Sequence, residues 1–428
     1  MTPRQFLKTY SYDKRLITGD YYSQEPVRVV PGDTVGVVMM NLGGPIAYED
    51  VEPFLYNLFM DPAIIDLPIP KWLRHPLCKF ISSSRAKSVG EDYKVIGGGS
   101  PINRLTREQG LALEKSLNDR YATETGAKFR VYTAMRYWKP SSEEAAKKMK
   151  ADGVSKVVLL PLYPHYSKTT TGSSLVYWKA LENATEIPLW PTSLAYEYAA
   201  HPKYVRAISE RIDEALQRFP RHVRERVHIV FSAHGTPVKE MKQRRDPYCC
   251  LVHSTVQQVM DMRAERDPGR QFHVAFQSKV GPAEWLTPST PDKLEELAND
   301  DHTAVLVVPV AFVTDHIETA YELDIEVREE ASAFGIEHYE VTNGLNCHPL
   351  FIEALSEVVA AQLDAPQAAS EGDGAARALP TAIPHLPRIK ASCREVRCHQ
   401  CEKITEAHDW ARTVSTPTVP AGGVTGEA

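Results

Sequence analysis

Apolar, β-branched runs alternate with amphipathic stretches along most of this chain, which predicts an α/β fold of parallel strands joined by helical crossovers. Two further observations say where such a fold would work. Val-His-Ile-Val-Phe at 227–231 runs into Ser-Ala-His-Gly-Thr-Pro at 232–237, and the apolar run 304–312 leads into Thr-Asp-His-Ile-Glu-Thr at 314–319. Open parallel sheets bind ligands beyond the carboxyl ends of their strands, so His234, His316 and Glu318 are expected in one cleft. Two imidazoles and a carboxylate there suit proton transfer or the handling of a divalent metal.

Strands are expected at 34–42, 129–137, 156–164, 227–235, 272–279, 303–313 and 336–342. Between them, 104–121 carries Leu105, Leu111, Leu113 and Leu117 at helical spacing, and 201–219 repeats the pattern with Val205, Ile208, Ile212 and Leu216. A chain of 428 residues can bury two ordinary cores. The split falls near 195, after Trp190-Pro191-Thr192, giving an N-terminal arm (1–32), a first domain (33–195) and a second (196–365). Residues 366–387 are small, polar and spotted with proline, as in a linker or insertion, and 388–428 form a tail.

A formal charge of −6 gives no electrostatic footprint for nucleic acid, so the partner is a small molecule or a protein. No apolar run approaches the roughly 18 residues needed to cross a bilayer, and the first residues lack the apolar core of a secretory signal. A cytoplasmic enzyme is the expectation. Seven cysteines are an odd number for a disulfide framework, and three of them crowd together near the C-terminus, which points to metal.

Asn41-Leu42-Gly43-Gly44-Pro45 follows the first strand, where paired glycines admit a flat ligand or a tight turn. Ile96-Gly97-Gly98-Gly99-Ser100-Pro101 lacks the Gly-Lys-Ser/Thr of a phosphate loop and reads as a structural turn. Arg136-Tyr137-Trp138 and Tyr163-Pro164-His165-Tyr166-Ser167 end successive strands. These aromatics could stack on a planar ligand while Arg136 pairs with a carboxylate, or they could pack between domains. Helical continuation from Glu318 sets Glu322 one turn on along the same face, so Asp315, Glu318 and Glu322 form an acidic line, with Glu326 on a solvated face.

With Met40 to Pro45, Ile96 to Pro101, Arg136-Tyr137, Tyr163 to Ser174, Ser232 to Pro237, Asp246-Pro247-Tyr248, Gln277 to Pro282, Trp285 and Asp315 to Glu326 set out, the chain resembles ferrochelatases from about 34 to 360. These enzymes insert ferrous iron into a porphyrin in the last step of haem synthesis. The resemblance implies two Rossmann-like domains, each a four-stranded parallel sheet flanked by helices, with the porphyrin between them. It implies His234 as the active-site histidine that takes pyrrole protons or ligates Fe²⁺. His316 and Glu318 are implied as its partners across the macrocycle, with Glu318 also on the iron and Asp315 and Glu322 extending the acidic path. Leu42, Tyr137, Trp285 and Phe312 match positions that grip the ring, and Arg136 and Ser173 match the propionate and cleft-wall positions. Inserting iron expels two N–H protons, which independently calls for a base and nearby carboxylates. Protoporphyrin is the implied substrate, with coproporphyrin the alternative. The rivals are a chelatase loading another metal into another tetrapyrrole, and a non-enzymatic haem-binding or cluster-sensing protein.

Residues 54–81 are apolar but broken by four prolines, and Trp72 and Leu73 stand beside Lys71 and Arg74. This composition suits either a lip at a membrane interface or a loop over the core. A lip would make the enzyme peripheral at the inner face of the membrane, and a homodimer is kept as an option. In the tail, Cys393-x₄-Cys398-x₂-Cys401 can hold one soft centre. The resemblance favours a [2Fe-2S] cluster with Cys347 as fourth ligand. Zinc is the competing metal, and His399, His348 and Cys250 are the alternative ligands. Cys78, Cys249 and Cys250 are expected as packed thiols.

Overall fold

The computed structural model describes residues 1–364, apart from 24, 68 and 280. The linker 366–387 and the tail 388–428 with Cys393, Cys398, His399 and Cys401 lie outside the described residues.

Among the described residues ten strands form three parallel sheets. The short strands β1 (Val27–Arg28) and β10 (Leu363–Asp364) pair with each other. The first large sheet has the order β3-β2-β4-β5, from β2 (Thr34–Asn41), β3 (Lys128–Met135), β4 (Lys156–Pro161) and β5 (Thr192–Leu194). The second has the order β7-β6-β8-β9, from β6 (His228–His234), β7 (Phe272–Gln277), β8 (Ala304–Pro309) and β9 (His338–Val341). Both sheets thus follow one plan, with the first strand flanked by the second and third and the fourth outside. The central strands are continuous apolar runs because helices cover both of their faces. The doubled α/β architecture agrees with the expectation. β5 escaped the sequence reading because three residues after Pro191 carry no alternation, and β1 with β10 were too short to see.

One apolar cluster runs between the sheets, joining Val37 and Met39 of β2, Leu113 and Leu117 of the helix Ile102–Thr125, Ile212 of the helix Pro202–Leu216, Phe231 of β6, and Phe351 of the helix Pro349–Ala360. A second cluster covers the outer face of the first sheet and a third that of the second sheet. The helix Pro349–Ala360 follows the last large strand but packs on Ile102–Thr125 as well as on Pro202–Leu216, which ties the chain's second half to its first.

The segment 54–81 is mostly helical. The helix Val51–Met60 and a turn through Asp61 and Pro62 lead into the helix Lys71–Val95, which carries Pro76 inside it at the cost of one backbone hydrogen bond. Trp72 (77% exposed) and Phe80 (72%) face outward. No helix among the described residues is long and apolar enough to cross a membrane. Cys78, Cys249 and Cys250 are buried as expected, whereas Cys347 is exposed.

Candidate active site

In the second sheet β6 lies between β7 and β8, so the chain leaves its carboxyl end in opposite directions and opens a crevice there. His234 is the last residue of β6. The loop after β8 brings in Phe312, Asp315 and His316, and Glu318 opens a π-helical stretch, Glu318–Glu326, in place of the α-helix expected from spacing.

His234 and Glu318 are directly bonded, Nδ1 to Oε2 at 2.8 Å. Ser278 Oγ–H bridges the two glutamates, 3.3 Å from Glu318 Oε2 and 2.8 Å from Glu322 Oε2. Gln277 Nε2 donates to Glu322 Oε2 at 3.0 Å, and Ser232 Oγ in turn donates to Gln277 Oε1 at 2.8 Å. His316 Nε2 stands 3.7 Å from the other Glu318 oxygen. The Phe312 ring lies 4.6 Å from the His316 ring and 6.3 Å, nearly perpendicular, from that of His234. After His234, Gly235 passes so close to β7 that a Cβ would fall 2.7 Å from the Gln277 carbonyl and 3.2 Å from the Trp285 ring. Trp285 is thereby placed beside the histidine.

Burial works against a charged His234, but the Glu318 carboxylate beside it prevails and raises its pKa above 6.5. Burial likewise opposes ionisation of Glu318, yet His234 and His316 hold its pKa well below the usual carboxylate range. For Glu322, burial together with the Glu318 charge outweighs the pull of His234 and lifts it to about 7. Two carboxylates on one helical stretch are thus pushed apart, one always charged and one titrating near neutrality.

The expectation that His316 and Glu318 face His234 across a macrocycle is corrected. The ends of adjacent strands put all three groups on one wall, and a 2.8 Å hydrogen bond leaves no room for a ring between His234 and Glu318. A disc can only lie against the pair. Asp315 is also corrected. Its oxygens accept from Gly344 N, the Asn346 amide and the Thr319 hydroxyl, so it fixes the loop instead of lining a path.

The first sheet supplies the facing wall. Leu42 and Trp138 pack with Tyr137, Phe54 and Tyr93, and Ile317 of the second half joins that cluster. Arg136 is not free for a propionate. Its Nη2 donates to Asp61 Oδ2 at 2.6 Å, and its guanidinium lies over the rings of Tyr177 (4.0 Å) and Phe6 (5.0 Å). The Tyr137 and Ser173 hydroxyls donate to the same Asp61 oxygen at 2.7 and 2.9 Å. A cavity of about 260 Å³ adjoins this group, between Phe6, Asn57, Arg136, Trp138 and Tyr177. For residues 163–167 the packing alternative prevails, since His165 bonds Thr255 and Ser167 bonds Asp246, both in the second half.

Sequence reasoning missed Asp61, and the signal was an acid embedded in the apolar run Phe54 to Ile65. It quoted Gln277 and Ser278 without giving them a part in the site. Among the described residues no group of three or more His, Cys, Asp or Glu is arranged to hold a metal ion.

A doubled parallel α/β fold with an imidazole–carboxylate pair at its switch point has the make-up of an enzyme site, and such a pair suits proton transfer at the face of a ligand. The ferrochelatase family model matches residues 34–363, and the chain belongs to that family. It is an enzyme that inserts metal into a porphyrin. Ferrochelatase from Synechococcus elongatus is 44% identical over 334 residues, covering 78% of this chain and 84% of that one. Ferrochelatase from Gloeobacter violaceus is 44% identical over 334 residues, covering 76% and 96%. The solved structure of SirB from Bacillus subtilis with Fe3+ covers 77% of this chain and 95% of its own at 12% identity and TM-score 0.44, a likeness too loose to carry residue assignments.

Proposed function

We propose that the enzyme inserts Fe²⁺ into protoporphyrin IX with His234 as the base and Glu318 as the carboxylate that holds and polarises it. The observation that carries this reading is the 2.8 Å bond from His234 Nδ1 to Glu318 at the switch point, with the His234 side chain still 40% exposed. In the tautomer with Nδ1 protonated, Nε2 keeps its lone pair for a pyrrole N–H, and the adjacent carboxylate strengthens that base. Two protons must leave for each iron that enters. The line His234, Glu318, Ser278, Glu322 offers them a hydrogen-bonded route, ending on a carboxyl that titrates near neutrality. His234 and Glu318 are also the groups assigned to receive the iron, with His316 beside them. Leu42, Tyr137, Trp285 and Phe312 hold the macrocycle, and Ser173 and Arg136 support its far wall through Asp61.

His234→Ala tests this. Anaerobic turnover with Fe²⁺, followed by porphyrin absorption, is expected to fall by at least about 100-fold while the variant still folds and binds porphyrin. Turnover at the wild-type rate would remove the assignment. Running protoporphyrin and coproporphyrin side by side decides the substrate.

The tail cysteines Cys393, Cys398 and Cys401, with Cys347, are the proposed ligands of a [2Fe-2S] cluster. Cys347 fits in that its thiol is exposed, just ahead of the helix Pro349–Ala360. Bound there, the cluster would pin the tail to the second half; visible absorption as against stoichiometric zinc separates the metals. The outward Trp72 and Phe80 support a peripheral membrane contact at the cytoplasmic face, and loss of vesicle co-sedimentation in Trp72→Ser tests it.

A further inference from the structure

Four charges of alternating sign cross the seam between the halves, on the segment that follows His234. Lys168, in the first half, is 1% exposed and lies 3.3 Å from Glu240, which is 4% exposed and belongs to the second half. The other Glu240 oxygen accepts from Arg244 Nη1 at 2.9 Å. Arg244 reaches back to Asp66 of the first half, in the connection between the helices Val51–Met60 and Lys71–Val95, and its guanidinium lies 5.1 Å from the Tyr12 ring. Lys239 stands 3.6 Å from the same Asp66 oxygen. The helix Val238–Lys242, which starts four residues after His234, is therefore clamped from both sides, by a buried lysine behind and an exposed aspartate in front.

The two ends of this chain of charges differ in kind. Breaking the buried Lys168–Glu240 pair would leave an uncompensated charge in the interior, so that end is permanent. Asp66 is 45% exposed, and ion pairs at such exposure contribute little and are screened by salt. One firm end and one weak end make a strap that can open without unfolding anything.

We propose that Asp66 with Arg244 and Lys239 is a reversible strap that ties the lip to the segment following His234 and sets how fast porphyrin enters and leaves the cleft. The proposal rests on porphyrin occupying that cleft. In this reading a planar ligand entering between the halves parts the lip from helix Val238–Lys242, and the pairs of Asp66 with Arg244 and Lys239 resist that parting.

Stopped-flow fluorescence of free-base protoporphyrin binding to and leaving the full-length enzyme tests it. Asp66→Asn is expected to speed association and release by about threefold, and Asp66→Arg, which would face Arg244 and Lys239 with like charge, to speed them further. Raising salt should accelerate exchange in the wild type but not in Asp66→Asn, and melting temperatures should stay level. Equal exchange rates in the wild type and Asp66→Asn, or the same salt response in both, would overturn the strap. Absence of any binding signal from the wild type would strike instead at the cleft reading.

Discussion

The two halves share a strand order, and at equivalent ends of their sheets each carries a carboxylate close to a nitrogen base, yet the carboxylates do opposite things. Asp61 is 2% exposed, and one of its oxygens is closed off by a guanidinium and two hydroxyls while the other accepts from Ala63 N. Glu318 is 20% exposed and paired with an imidazole, a group that can gain or lose a proton. Arginine stays charged at any working pH, so the Asp61 group can only be structure, whereas the histidine pair is a group that titrates. The topology provides a place for a polar cluster twice. The identity of one cation decides which copy does chemistry.

Glu318→Gln should break the active half most. Glutamine still accepts from Nδ1 but brings no charge, so insertion is expected to fall by about 10² to 10⁴. The pH profile says why. Activity needs Nε2 unprotonated and so rises with pH through the His234 pKa, which Glu318 lifts above 6.5. Without that carboxylate the acid limb of kcat/KM should move to lower pH. A limb left in place would mean that a different group titrates.

Asp61→Asn should do the reverse. Removing the anion leaves the Arg136 guanidinium, 8% exposed, without its counter-charge, and breaking buried pairs in this way costs roughly 3 to 5 kcal/mol. Urea unfolding is expected to show that loss, while the variant that remains folded keeps most of its insertion rate. If stability holds and turnover collapses instead, the division between a structural and a chemical half is wrong.

The central strands of both sheets were legible because fully buried parallel strands are written as unbroken apolar runs, and His234 and Glu318 because each follows such a run. What sequence could not convey was direction. His234 and His316 are 82 positions apart, and only the pairing of β6 with β8 puts both on one wall. Asp315 looked like part of an acidic path by position, but its contacts to Gly344 and Asn346 come from a loop beyond β9 that no local pattern connects to it. Arg136 looked available because its partner lies 75 residues earlier in a stretch read for its apolarity.

The smallest effect sharpens the comparison within the active half itself. Glu318 and Glu322 are four residues apart on one helical stretch, and of the two it is Glu318 that is bonded to the imidazole. Burial and the charge of Glu318 raise Glu322 to about 7, so between its unfolded value of about 4.3 and pH 7 the native state holds a proton that the unfolded chain has released. Folding stability therefore falls as pH rises through that window, and the loss is complete above it. Glu322→Gln copies the protonated form. Its stability relative to wild type should rise between about pH 4.5 and 7 and then stay level, by on the order of 1 to 2 kcal/mol once solvent screening is allowed for. Chemical denaturation at pH 5 and pH 8 measures the difference. If Glu322 also receives protons from the His234 pair, the same variant should lose several-fold in turnover at pH 8, where the wild-type carboxylate is free to accept, and little at pH 6, where it is already protonated. A variant equally slow at both pH values would place Glu322 in the framework of the wall and outside the proton route.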